Sequence, residues 1–163
     1  MEKDIKIHEN HEEEFLNVAG GNYRVIVSGE ETDNSFAVIE MIVPPGGGPP
    51  PHAHPYIQET FYVVEGEIEF KTETGKKMIG EGGFVNIPLG GAVHCFRNNS
   101  QSIIKLLCTV MPAGLEKLFA KTGVPAVMGQ FLPVPEMTEE RVALLKQMNE
   151  EYRQTTYPQD YLD

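Results

Sequence analysis

Basic residues are scarce in this chain. Its 13 lysines and arginines stand against 24 aspartates and glutamates, a formal net charge of −11, and a surface field of that sign disfavours partners that present phosphates. Neither nucleic acid nor an anionic membrane surface is therefore expected as a partner. Long apolar runs are also lacking. Nowhere do about 18 consecutive apolar residues occur, so no transmembrane span is expected. The N-terminal MEKDIKIHEN carries acidic residues where a signal peptide would carry an apolar stretch, so none is read there. Cysteine is limited to Cys95 and Cys108, too few for a disulfide framework. Both are expected as reduced thiols on strands of a cytoplasmic protein. No repeat of solenoid period and no low-complexity linker interrupts the chain.

At 163 residues the chain can bury one sizeable core, whereas two domains of half that length would both be poor in buried surface. One domain is expected. Its strongest local signal is GGGPPPHAHPYIQETFYVVEG, from Gly46 to Gly66. Two residues apart on an extended strand, His52 and His54 point to one face, and Glu59 follows five residues later. This is metal-ligand spacing. The glycine and proline run from Gly46 to Pro51 leads into the pair and the strand-like Thr60 to Val64 leads out, so the ligands are expected at a turn between strands.

The remaining segments supply a setting for that site. His8 and His11 sit among Glu9, Glu12, Glu13 and Glu14, but a loose, charged terminus is a poor place to preorganise a metal, so they are read as a flexible end. YRVIVS (residues 23–28) is strand-like. FAVIEMIV (residues 36–43) is apolar on nearly both faces and is expected to be a central strand. Glu65-Gly66-Glu67 reads as a tight turn into IEFKT, giving a β-hairpin with one wet face. Short strands follow at KMI, FVNIP and AVHCF, with a long one at IIKLLCTV (residues 103–110), separated by glycine-bearing or polar turns. That rhythm indicates an antiparallel sandwich or barrel.

Beyond Pro112 the periodicity becomes helical. Leu115, Leu118 and Phe119 mark a helix that Gly123 ends. Thr138 reads as the N-cap of a second helix with Glu139 and Glu140 in its first turn and Met137 placed to staple against Val142. The stripe Val142, Leu145, Met148 and Tyr152 is expected to pack onto the barrel or onto another subunit.

A strand barrel can bring a further ligand to His52, His54 and Glu59, and the candidate is His94, the remaining histidine inside a strand. Three imidazoles and one carboxylate favour one divalent transition metal, iron, nickel, manganese, copper, cobalt or zinc, over calcium or magnesium. Four protein ligands on an ion that accepts five or six leave open positions for oxygen, water or a substrate oxygen. Counted by strand parity from Glu59 and His94, or placed on neighbouring strands, Phe36, Met41, Phe61, Val63, Phe70, Phe84 and Phe96 are the candidates to line a pocket for an apolar small-molecule substrate. The same side chains would serve equally well as ordinary barrel core. Phe119, Met128 and Phe131 could cover its mouth.

The residues carry a resemblance. Gly46, His52, His54, Glu59 and Gly66 fit GxxxxxHxHxxxxExxxxxxG, the first motif of the cupin superfamily, without a gap. Gly82, Pro88, Gly90, His94 and Asn98 resemble the second, GxxxxxPxGxxHxxxN, with one extra residue between Gly90 and His94. The resemblance implies an all-β fold, a cupin double-stranded β-helix or jelly-roll barrel with short C-terminal helices. It divides the chain into an N-terminal arm (1–22), a cupin β-barrel (23–112) and a C-terminal helical extension packed on the barrel (113–163). It also implies metal ligation by His52, His54, Glu59 and His94. The flanking stretches are similar to single-domain cupins related to quercetin 2,3-dioxygenase, which implies a metal-dependent dioxygenase acting on a flavonol-like compound, with Glu59 as both ligand and proton acceptor. A non-catalytic metal-dependent small-molecule binding protein is the alternative. A sugar isomerase or epimerase is a third, disfavoured for phosphosugars by the shortage of cations on the inward strand faces. A homodimer is expected through the outward face that carries Thr60, Tyr62 and Val64.

Overall fold

The structure, a computed structural model, describes residues 4–10 and 15–163. Alternation of apolar and polar residues sets its strands. Along Ile104–Met111 (β10), Ile104, Leu106, Cys108 and Val110 are fully buried while the residues between them are half-buried. Each such buried aliphatic side chain contributes roughly 1.5–3 kcal/mol. Along Gln58–Glu65 (β5), Glu59, Phe61 and Val63 point inward, and Tyr62 and Val64 are exposed. The carboxylate that spacing selected is thus on the core face of its strand.

In chain order the other strands are β1 (Phe15–Val18), β2 (Gly21–Val27), β3 (Ala37–Val43), β4 (His52–Ala53), β6 (Glu67–Thr72), β7 (Gly75–Gly80), β8 (Phe84–Ile87), β9 (His94–Arg97), β11 (Val124–Ala126) and β12 (Thr155–Thr156). Two helices, α1 (Leu115–Thr122) and α2 (Glu139–Glu151), lie late in the chain. The strands form a seven-stranded sheet in the order β11-β1-β2-β3-β10-β5-β8 and a five-stranded sheet in the order β12-β4-β9-β6-β7. Every pairing is antiparallel. Side chains from both sheets share one core, in which Phe61 of the larger sheet meets Phe70 and Phe96 of the smaller at ring-centroid distances of 5.2 and 5.6 Å. The fold is the expected all-β jelly roll with short C-terminal helices.

β3 is central, as its two apolar faces require, between β2 and β10. The expected hairpin at Glu65-Gly66-Glu67 is not formed. β5 pairs with β10 and β8 in one sheet, while β6 pairs with β7 and β9 in the other. The chain changes sheets at Gly66, because Ile68 and Phe70 must face Phe61 and Val63 across the core. The tight hairpin is the next one, β6 to β7, closed between Thr72 and Gly75. The stretch expected as an N-terminal arm also contributes to the sheet, since β1 pairs with β2 and with β11 from the C-terminal extension. His8 lies 2.9 Å from Glu31, well along the chain from the candidate ligands. His11 and Glu12 to Glu14 lie outside the described residues.

The glycine and proline run before His52 is held by Asn98. Asn98 N–H donates to the Gly47 carbonyl and the Asn98 carbonyl accepts from Gly46 N–H. Its buried side-chain amide donates to the carbonyls of Val43 and Ser102 and accepts from Ser100 N–H and Oγ. Within the run, a Cβ at Gly48 would come within 2.0 Å of the Phe96 carbonyl, so only glycine lets this loop lie against β9. The loop that delivers His52 is therefore fixed to the strand that carries His94. Replacing Asn98 by alanine leaves several buried backbone groups unpaired and is expected to cost about 2–4 kcal/mol of stability. Urea unfolding measures this, and a change within about 0.5 kcal/mol, as at an ordinary surface site, would contradict the clamp.

Candidate metal centre

Three elements bring the ligands together. β4 carries His52 and leads directly into His54. β9 carries His94, paired in register with His52. β5, from the other sheet, carries Glu59. One ligand atom from each of His52, His54, Glu59 and His94 lies within 4.8 Å of the others. His54, Glu59 and His94 are at most 4 % exposed, and His52 is partly open toward a cavity.

The imidazoles are oriented by backbone. His52 Nδ1 is 2.8 Å from the Pro50 carbonyl and His94 Nδ1 is 2.8 Å from the Ala92 carbonyl. A carbonyl only accepts, so both Nδ1 atoms carry protons and both Nε2 atoms are directed at the site. This is how metal-binding histidines are commonly held. Glu59 Oε2 is 3.1 Å from His94 Nε2 and 3.8 Å from His54 Nε2. At these separations the carboxylate and both imidazoles are close enough to share one ion. His54 provides the clearest indication. Both of its ring nitrogens are buried without a hydrogen-bond partner, an omission that costs about 1–3 kcal/mol unless something else meets them. A divalent transition metal fits this donor set, with His52, His54, Glu59 and His94 as its ligands.

The protonation states suit that role. Burial, with the neighbouring His94, pushes His52 down to about 3. Burial lowers His54 as well, against the opposing pull of Glu59. Burial pulls the Glu59 carboxyl upward, but the hydrogen bond with His94 and the nearby histidines outweigh it and hold the group down at about 2. A carboxylate beside the neutral imidazoles of His52 and His54 is what a metal requires. The site has one thiol neighbour: Cys108 Sγ donates to Glu59 Oε1 at 3.5 Å. Burial, then the Glu59 charge, pushes that thiol well up, so it remains a donor. Cys95 and Cys108 are both free and buried.

A cavity of about 710 Å³ opens onto His52, His54 and Glu59. Of the expected lining, Met41, Phe61 and Phe96 face it. Val63 and Phe70 belong to the core and do not reach it. Phe36 and Phe84 are 38 % and 61 % exposed and lie on the outside of the larger sheet. Phe84 pairs with outward Tyr62, and Phe36 shares the parity of Val38 and Glu40, so both fall on the wet face. Phe119 lines the cavity, but Met128 and Phe131 do not. Parity from the ligands could not have supplied much of the remaining wall, which includes Val18 on β1, Tyr23 on β2, Leu115 and Leu118 on α1, α2, and Gln154, Thr156 and Gln159 after it. The α2 stripe divides: Met148 and Tyr152 pack on the core as expected, and the other two residues do not. Met148 is buried, but Val142 is 48 % exposed and, with Leu145, faces the cavity. Thr138 caps the helix as expected, its side chain accepting from Arg141 N–H.

The departure in the second motif resolves into a two-glycine turn. Gly90 and Gly91 both have positive φ, 112° and 80°, conformations that favour glycine. Gly90 N–H bonds the Pro55 carbonyl, tying the turn before His94 to the segment just after His54.

Residues 39–110 match the cupin domain family. Over 103 residues the chain is 29% identical to quercetin 2,3-dioxygenase of Bacillus subtilis, an alignment that takes in 63% of this chain and 30% of that enzyme. The chain thus spans under a third of that relative's length. Among solved structures it is similar to KdgF from Halomonas sp., with a TM-score of 0.61 at 17% identity over 70% of this chain and 99% of that one. It is also similar to a sugar phosphate isomerase from Silicibacter pomeroyi, with a TM-score of 0.50 at 21% identity over 56% of this chain and 59% of that one. At these identities the two structures show the fold alone.

Replacing either His94 or Glu59 by alanine is expected to reduce bound metal to roughly a tenth of wild type or less, and to abolish the rise in melting temperature that added metal gives the wild type. Elemental analysis and a thermal melt check this. Wild-type stoichiometry in both variants would contradict the ligand assignment.

Proposed function

We propose that this chain, which carries a cupin domain, is a metal-dependent, dioxygenase-like enzyme acting on a small oxygenated aromatic compound. The observation that carries the reading is the joining of a four-ligand site to an apolar cavity of about 710 Å³, a size suited to one small organic molecule. The relation to quercetin 2,3-dioxygenase supports the choice of reaction class.

A divalent transition metal, when bound, supplies a Lewis acid with open positions. The protein's own groups do the rest. Met41, Phe61, Phe96, Leu115, Leu118 and Phe119 enclose the substrate's rings and exclude water. Glu59 is anionic at neutral pH and faces the cavity, so it can accept a hydrogen bond from a substrate hydroxyl and take its proton. Cys108 holds the other carboxylate oxygen in place. Tyr23 also lines the cavity, and burial first, then Cys108 and Glu59, raises its phenol, which stays protonated as a donor to substrate oxygen. The wall around the metal ligands is built mainly of Met41, Phe61, Phe96, Leu115, Leu118 and Phe119, which suits an aromatic body better than a sugar. The polar lining residues Thr122, Gln154, Thr156 and Gln159 come from the C-terminal part of the chain.

The test is oxygen uptake with flavonols and catechols after reconstitution with each of iron, manganese, cobalt, nickel, copper and zinc. Uptake coupled to ring-opened product is expected with at least one metal, and Glu59→Gln is expected to lower kcat by about 100-fold or more. No turnover with any metal would overturn the reading, and tight binding without product would favour a binding protein.

A further inference from the structure

The cavity's cations come from its lid. α2 turns one face to the cavity, made of Arg141, Val142, Leu145, Lys146, Met148 and Asn149. At 3.6 residues per turn, Arg141 and Lys146 are about 140° apart around the helix, with Leu145, Asn149 and Val142 between them. The lid therefore presents a mainly apolar strip flanked by two positive charges. In the whole cavity wall the one carboxylate is Glu59, which the metal site claims. Among the described residues, neither the Arg141 guanidinium nor the Lys146 ammonium has a carboxylate within 4.0 Å. What sets the two apart is their place on the cavity wall. Elsewhere among the described residues some cations are paired, as Arg24 is with Glu40 and Lys121 with Glu151, and others, such as Lys77 and Lys117, have no carboxylate within that distance.

The lid is fixed relative to the metal site. Just after α2, β12 pairs with β4, placing Thr156 opposite His52. Asn149 on the helix donates to Thr156 Oγ1 at 3.1 Å, and Met148 is buried in the core. Lys121 of α1 pairs with Glu151, and Arg153 stacks over Tyr56 at 4.8 Å. These contacts tie the C-terminal end of α2 to the strands and to α1, and Arg141 and Lys146, earlier on the same helix, line the same cavity as the ligands.

We propose that Arg141 and Lys146 select a substrate bearing a carboxylate beside its apolar body. This rests on the reading of the site as one for an oxygenated aromatic: an apolar body fills the cavity, its oxygen meets the metal end, and its anionic end meets the lid. A guanidinium or an ammonium at either edge of the strip suits a carboxylate, and the mainly apolar wall between them suits the hydrocarbon that carries it. The inward strand faces carry few cations, and the two that reach the cavity stand on the helix.

The test is anaerobic isothermal titration of the full chain with 3,4-dihydroxycinnamate and with its methyl ester, which share a catechol and differ in charge. Wild type is expected to bind the acid about tenfold more tightly than the ester, and Arg141→Gln/Lys146→Gln to lose that preference while holding the ester as before. Both side chains are solvent-accessible, and matching far-UV dichroism and ester affinity verify that the variant is folded. Equal affinities in wild type, or a double variant that keeps the preference, would overturn the proposal. Displacement of the acid by equimolar inorganic phosphate would assign the pair to phosphate instead, and so overturn it too. Because oxygen is excluded, the outcome is independent of turnover: the dioxygenase reading and the carboxylate reading can each fail alone.

Discussion

A carboxylate and three imidazoles share one buried point in an otherwise apolar core, and that constraint shapes the rest of the molecule. Removing Glu59 from water costs several kcal/mol on its own. The cost is offset only if every lone pair is met and the geometry is fixed. Here β5 brings the acid from the larger sheet while β4 and β9 bring the histidines from the smaller. The site can exist only where the two sheets converge, so the jelly roll is a means of joining ligands from both. His54, with neither ring nitrogen partnered, shows that the protein's own groups do not complete the arrangement.

The irregular segments follow from the same requirement. The Pro50 and Ala92 carbonyls fix which nitrogen of His52 and His94 is free. Asn98 clamps the loop that delivers His52, and the Gly90-Gly91 turn joins the approach to His94 with the chain just past His54. On the open side, α1 and α2 supply what the strands lack. They extend the apolar wall and, through Arg141 and Lys146, add positive charge to it.

The ligand set was legible because its signal is local in sequence: an HxH pair, a glutamate five residues on, and one further strand histidine. The central position of β3 was legible for a similar reason, since both of its faces are apolar. The sheet crossing at Gly66 was not, because a turn between two alternating strands looks the same whether the strands pair or part. Only the need for Ile68 and Phe70 to face Phe61 decides it. Phe36 and Phe84 show the limit of assigning a lining from residue type, since parity puts both on the outer face. The role of α2 was hidden because its stripe reads as packing, and the cavity it faces is formed only once the chain has folded back over the strands.

The most direct measurement is an anomalous-difference map from crystals of the protein purified without chelator, collected across the absorption edges of the first-row transition metals. The account predicts one peak, about 2.1 Å from the Nε2 atoms of His52 and His94, a ring nitrogen of His54 and a carboxylate oxygen of Glu59. A metal bound elsewhere with these four side chains left uncoordinated, or no peak at any edge from fully metal-supplemented crystals, would contradict it.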